Sequence, residues 1–407
     1  MARSLDHASQ QLLLLVARDR LSETQRSRAR ELARQVADWD AFVRVANGAL
    51  GICLAHACLS RIDDAGIPSS VLERMRLGAR AQATRSLLIE ATYRHFMQQC
   101  LAPSGARHVF FKGPALAERY YDTPAHRPCR DLDVLVAPAD VLGLVQRAMA
   151  EGYRPYELAA ASSPRDIAAW VKYGSVFPMV SPSGVLVEIH QSFDHGDGFF
   201  DARAMLDRAE TLPYRGSTMQ VLSTADLFAY VCMHHTRHFW SHLHWFADLD
   251  AMSRHASFDL AQVRATAESM GMLATVDACL DLHRLAASGH WSPEPAPDSA
   301  EQALLAGALA CLMGGRARED ELRATRLSSD RAFAWQMPTL QRWAYRARSL
   351  LRKARPTFSD YLAWPLPAPL QPLYYLTRPV RALAAPAHRG HARIRPVAGL
   401  VRPDREG

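Results

Sequence analysis

The sequence predicts an α+β protein, a small mixed-sheet core flanked by N- and C-terminal helical regions. Three observations carry that expectation. Residues 8 to about 100, and again those from Ser223 to about 315, repeat apolar residues at three- and four-residue steps, the helical period. Between them, four short runs are rich in β-branched and aromatic residues: Val109 to Phe111, Leu132 to Val136, Ser175 to Val180 and Val185 to Ile189. The last two are separated by Ser181-Pro182-Ser183-Gly184, a turn signal.

Bulk properties narrow the class. At 407 residues the chain exceeds one typical domain, and 49% hydrophobic with 22% charged residues is an ordinary globular composition. The net charge of +7 is mostly arginine and suits phosphate-bearing ligands or an anionic membrane surface without requiring either. Seven cysteines are scattered with no C-x-x-C pair, which argues against a disulfide framework and a zinc knuckle. Leu12 to Val16 is too short an apolar core for a signal peptide, and no apolar run approaches the ~20 residues that span a bilayer. The expected compartment is the cytoplasm, with a place at the membrane periphery as the variant.

Taken in order, the front region reads as a helical bundle interrupted at Ile67-Pro68, where Ser70 and Glu73 resemble a capping box. Pro114 suits the first turn of a short helix over Ala115 to Tyr121. A helix over Asp140 to Met149 stops at Gly152, and Ser223 opens another expected to run through His244. Further helices are expected over about 259–289 and 299–315. The resulting division is 1–104 helical, 105–222 α/β core, 223–355 helical, and 356–407 a tail rich in proline, aromatic residues and arginine.

The chemistry concentrates in the core. Strand residues at i and i+2 share a face, so Asp131 and Asp133 project together with Leu132 and Val134 behind them. Two carboxylates held side by side repel unless a cation lies between them, the arrangement that holds a divalent metal against a triphosphate. Upstream, Lys112-Gly113-Pro114 offers a cation, close backbone approach and free N–H groups at a helix start. Arg127 and Arg130 stand within reach of phosphate oxygens in sequence, although Arg127 equally suits plain neutralisation of the aspartates. Glu188 and His190 share a face of a later strand, opposite Val187 and Ile189. Beside the Asp131 strand, Glu188 would become a third metal ligand or a base; alone it would be an exposed strand residue.

These motifs resemble the uncharacterised bacterial nucleotidyltransferase family of the DNA polymerase β-like superfamily: Lys112-Gly113 before a short helix, Arg127-Pro128, Asp131-Leu132-Asp133-Val134-Leu135-Val136, and Glu188-Ile189-His190. The resemblance is strongest over about 105–195. It implies transfer of a nucleotide from an NTP, with Mg²⁺ (or Mn²⁺) held by Asp131, Asp133 and Glu188, and nucleotide contacts from Lys112, Gly113, Arg127 and Arg130. The acceptor class stays open: a small molecule, sugar, tRNA or protein. Better-known members carry Gly-Ser where Lys112-Gly113 stands, so the serine that grips the triphosphate is missing here. Other readings of the same residues are a catalytically inactive nucleotide-binding module, a membrane-peripheral scaffold in envelope polysaccharide assembly, and a toxin-like nucleotidyltransferase modifying tRNA or protein.

Two further segments stand out. Between Cys232 and Asp248, one continuous helix would space His234, His238 and His242 at i, i+4. Packing against the sheet, an acceptor pocket built from His190, His234, His238 and Asp248, and a transition-metal clamp are the three readings. The tail places Phe358, Tyr361, Trp364, Leu366, Leu370, Leu373, Tyr374, Tyr375 and Leu376 before Arg378, Arg381, Arg389, Arg393 and Arg395. That mixture suits peripheral membrane or protein contact through 356–395, or a clasp folded back on the protein itself.

Overall fold

The computed structural model describes residues 5–156, 163–193, 199–291, 299–324, 343, 347, 351 and 354–384. The fold is α+β, with one mixed seven-stranded sheet and many helices. The chain forms two compact units, each assembled from stretches distant in sequence: Met1–Ser86, Gly113–Cys129 and Leu222–Ala344 in one, and Leu87–Lys112, Arg130–Val221 and Tyr345–Gly407 in the other.

The second unit contains the whole sheet. Its strands are β1 (His108–Phe110), β2 (Asp131–Val136), β3 (Arg154–Pro155), β4 (Val176–Val180), β5 (Leu186–His190), β6 (Glu210–Tyr214) and β7 (Ser217–Val221). They lie in the order β3-β4-β5-β2-β1-β7-β6. β2 is central, antiparallel to β1 and parallel to β5. Val109, Phe110, Leu132, Val134, Leu135, Val136, Val187 and Ile189 are all fully buried, as expected of strands covered on a face by other layers. β4 and β5 form the hairpin expected around Ser181-Pro182-Ser183-Gly184, with Gly184 at a φ of 84°.

The first unit is helical. Its front helices are His7–Leu15, Glu23–Ala33, Trp39–Gly48 and Ile52–Leu59, and its rear helices are Thr224–Arg237, Leu243–Arg254, Leu260–Ser269, Leu273–Ser288 and Ala300–Ala324. Ser22 and Gln25 form a capping box, and the Ser223 hydroxyl accepts from the Asp226 backbone N–H, so both starts have local causes.

Four local expectations change. The helix expected to start with a Ser70 cap begins at Ser69, and Glu73 bonds Arg76 instead. The single helix expected from Ser223 through His244 is two, because Phe239 and Trp240 adopt φ of 53° and 52°. Trp240 is wholly buried, which sets the burial of its indole, less the cost of an Nε1 without a partner, against the ~1–3 kcal/mol that left-handed backbone costs at a bulky residue. The helix over 259–289 is likewise broken at Gly271, where φ is 71°. β6 and β7 form a hairpin over Glu210–Val221 that the sequence pattern did not announce.

Candidate metal centre

Strand register builds the site. β2 and β5 pair in parallel with Asp133 beside Glu188 and Leu135 beside His190. Alternation therefore puts Asp131, Asp133, Glu188 and His190 on one face of neighbouring strands, with Leu132, Val134, Val187 and Ile189 facing the other way into the core.

The tightest grouping is Asp133, Glu188 and His190, each offering a ligand atom within 4.8 Å of the others. His190 Nε2 lies 3.1 Å from Asp133 Oδ1 and 3.4 Å from Glu188 Oε2. Lys112 Nζ lies 3.7 Å from the same Asp133 oxygen. Phe111 meets the His190 ring edge-on at 5.0 Å and limits how that ring turns. Asp133 and His190 are buried, whereas the Glu188 side chain is 30% exposed, so the cluster opens to solvent on the Glu188 side.

The electrostatics follow from the spacing. Burial opposes a charge on His190, but hydrogen bonds to Asp133 and Glu188 outweigh it and push the imidazole up to about 9. The two carboxylates thus favour the protonated imidazole between them. Asp131 is pushed up to about 7 by burial, then by the Asp133 and Glu188 charges, with Lys112 and Arg130 opposing. A cation in this cluster would relieve the carboxylate repulsion and displace the proton from His190.

The donor set fits a divalent metal. Two carboxylates and an imidazole converge, and carboxylate oxygens suit Mg²⁺ and Mn²⁺, while a nitrogen ligand is more congenial to Mn²⁺ than to Mg²⁺. His190, assigned by sequence to an acceptor pocket, stands among the ligand atoms. Asp131 lies beside the cluster, close enough for its titration to respond to Asp133 and Glu188.

Asp131→Asn should stabilise the metal-free protein, with a definite pH signature. Below about pH 4 the carboxyl is neutral folded and unfolded, so the substitution changes little. Between about pH 4 and 7 the unfolded chain ionises while the folded site resists, and the wild type loses stability that the variant keeps. Urea melts should show a gain of roughly 1–3 kcal/mol above pH 7 that vanishes near pH 4. A gain independent of pH would contradict the explanation from a carboxyl that the folded site resists ionising.

The other sequence candidates separate by place. Gly113 has φ 57° and ψ −128°, a conformation that glycine adopts and side-chain-bearing residues rarely do. Arg130 is exposed. Arg127 is buried and forms a two-pronged ion pair with Asp248, Nε donating to Oδ1 at 2.8 Å and Nη2 to Oδ2 at 3.1 Å. Its remaining arm reaches the Gly113 carbonyl at 3.4 Å, and the Tyr121 hydroxyl donates to Asp248 at 2.7 Å. Burial alone would lower the Arg127 pKa, but Asp248 holds it protonated above its ordinary value. Asp248, expected at an acceptor pocket, is thus fully buried in this network.

His234 and His238 lie in the first unit with ring centroids 4.7 Å apart, and both rings meet Trp245. His238 Nδ1 is 2.7 Å from Glu319 Oε1, and the Ser241 hydroxyl donates to the other oxygen of that carboxylate. The Phe239–Trp240 break leaves His238 just after one helix and His242 just before the next, so the helical i, i+4 spacing of that pair is lost. Among the described residues, the metal-ligating grouping is the one around Asp133.

This geometry coincides with a family assignment. The chain matches, over residues 35–287 and so over well more than half its length, the model described as uncharacterised nucleotidyltransferase. It belongs to that nucleotidyltransferase family. No curated protein matches it. All seven residues of the resemblance's site, Lys112, Gly113, Arg127, Arg130, Asp131, Asp133 and Glu188, fall inside the matched span, as does His190.

Proposed function

We propose that this family member is a metal-dependent nucleotidyltransferase of the polymerase β-like type, working at the face formed by β2 and β5. The observation that carries the reading is the convergence of Asp133, Glu188 and His190 beside Asp131, on parallel strands in direct register. In the reaction an acceptor oxygen attacks the α-phosphorus of an NTP, a new O–P bond forms, the bond to the β-phosphate oxygen breaks, and pyrophosphate leaves.

Each residue has a part matched to its surroundings. Asp131, Asp133 and Glu188 would hold Mg²⁺ or Mn²⁺, with His190 as a fourth donor. The metal, when bound, supplies neutralisation of phosphate charge and polarisation of the α-phosphoryl group. Glu188, more accessible than Asp133, would take the acceptor's proton. Lys112 and Arg130 would bind the triphosphate, and Gly113 lets the backbone approach it in place of the absent Gly-Ser turn. Arg127 holds Asp248 and the Gly113 carbonyl, so its contribution to nucleotide binding would be through the shape of that turn.

Glu188→Gln separates binding from chemistry. It should reduce turnover by roughly 100-fold while changing nucleotide affinity only several-fold, because a proton acceptor acts mainly in the transition state. Labelled NTPs with Mn²⁺ and cell extract provide the assay. Equal loss of binding and turnover would move Glu188 from proton acceptor to metal ligand alone.

A further inference from the structure

The tail is both clasp and exposed face, and its side chains divide cleanly between the two. The segment 354–384 forms the helix Phe358–Ala363, a 3₁₀ turn Ala368–Leu373 and the helix Tyr374–Ala384. Its inward residues bind the helix Pro164–Tyr173 of the same unit. Phe358 stacks on Trp170 with centroids 4.8 Å apart, the Tyr361 hydroxyl donates to Asp166 at 2.8 Å, and Arg165 donates to the Leu366 carbonyl at 2.9 Å. Tyr374 is buried, and its hydroxyl bridges the Trp364 carbonyl and the Leu366 N–H.

The arginines of the last helix also point inward. Arg381 donates to Asp360 at 2.7 Å and Arg378 lies 3.6 Å from the same carboxylate, which is wholly buried. The helix therefore turns its charges toward the protein and its apolar residues outward, the reverse of an ordinary surface helix. Leu373, Leu376 and Val380, at i, i+3 and i+7, are 38%, 73% and 67% exposed. Elsewhere in the tail, Tyr375, Trp364, Leu370 and Leu362 are also exposed, at 61%, 53%, 48% and 41%. Exposed apolar residues gathered in one short segment mark an interaction site.

We infer that this face docks on an anionic lipid surface. Three features select lipid. The face mixes Leu and Val with Trp and Tyr, residues whose apolar body and polar tip suit the headgroup boundary. Cations belong to the same unit: Lys172, Arg355 and Arg165 are exposed, although Lys172 and Arg165 also bond the tail through Gln371 and the Leu366 carbonyl. The sequence then continues from the end of the face for 23 more residues, 385–407, carrying Arg389, Arg393, Arg395, Arg402 and Arg405 against only Asp404 and Glu406. An apolar face joined to a net basic segment supplies the two attractions that hold a peripheral protein on an anionic bilayer. This inference is independent of the nucleotidyl-transfer reading.

Co-sedimentation of the full chain with vesicles tests it, using phosphatidylcholine with roughly a third phosphatidylserine, at low and high salt. The full chain should pellet at low salt, bind pure phosphatidylcholine roughly tenfold or more weakly, and lose part of its binding as salt screens the charges. Leu373→Asp, Leu376→Asp and Val380→Asp combined should reduce binding tenfold or more with an unchanged melting temperature, since all three side chains are exposed. Removing 385–407 should weaken binding and flatten its salt dependence. The proposal fails if the full chain stays in the supernatant at low salt, or if the triple variant pellets like the wild type. It fails equally if the triple variant instead breaks a dimer seen by sedimentation equilibrium, or if removal of 385–407 strengthens binding, which would make a second copy or that segment the occupant.

Discussion

Asp133→Asn should abolish metal-dependent nucleotide transfer, lowering it by at least about 100-fold. Asp133 is the centre of its cluster: one oxygen meets both His190 Nε2 at 3.1 Å and Lys112 Nζ at 3.7 Å, and the residue pairs across the strands with Glu188. An amide keeps the shape and removes the charge, so a bound metal would lose a carboxylate, and Lys112 and His190 lose their shared partner. The imidazole pKa, now held at about 9, should fall, because its principal hydrogen-bond acceptor has lost its charge. NMR titration of His190 and the transfer assay read the two effects separately. Asp131→Asn and Asp133→Asn should therefore differ in sign of stability change in the metal-free protein. Asp131 is an acid that the fold resists ionising, whereas Asp133 compensates two positive charges. Equal stabilisation by both would contradict this division.

Asp248→Asn should destabilise the protein by roughly 3–5 kcal/mol, because it leaves the buried Arg127 guanidinium without a countercharge. Both side chains are buried, so solvent screens the pair little. Replacing both partners together, Arg127→Met with Asp248→Leu, should cost less than either change alone, since no orphaned charge remains. Urea denaturation of the two single variants and the double variant completes the cycle. Additive losses would mean that the pair is not coupled. If Arg127→Met instead left stability unchanged and removed nucleotide binding, the arginine would be a direct phosphate contact.

The central strands were legible because their signals are local. Alternation over Asp131–Val136 and Leu186–His190 gives the shared faces directly, and a proline-glycine turn marks the β4–β5 hairpin. That β5 lies in parallel beside β2, with Asp133 opposite Glu188, needed the fold, since 55 positions separate those two residues in sequence. His190 illustrates the difference: its face was evident from spacing, but its 3.1 Å approach to Asp133 depends on strand register.

The rest was hidden for identifiable reasons. β6 contains Pro213 and is an edge strand, where proline is tolerated but strand patterning is weak. Its hairpin turn puts Arg215 at φ 49° before Gly216 at 80°, so half of the usual turn signal is replaced by an arginine. Phe239 and Trp240 interrupt a helix without glycine or proline, because the burial of Trp240 overrides local preference. Arg127 and Asp248 are 121 positions apart, and nothing local distinguishes an arginine bound for a buried carboxylate from one bound for phosphate. In the tail, Tyr374 is buried and Tyr375 is 61% exposed, a distinction set by what the Pro164–Tyr173 helix offers each side chain.

We propose Asp133, Glu188 and His190 as a divalent-metal site for nucleotide transfer. Calorimetric titration of the wild type with Mn²⁺ and a non-hydrolysable NTP analogue, repeated in buffers of different ionisation enthalpy, tests it most directly. Metal must displace the His190 proton, which the apo protein retains up to about pH 9, so binding at pH 7 should release protons and tighten as pH rises toward 9. The same titration on Asp133→Asn should show no tight metal-dependent binding. Absence of Mn²⁺ binding by the wild type, binding without proton release, or undiminished binding by Asp133→Asn would contradict the account.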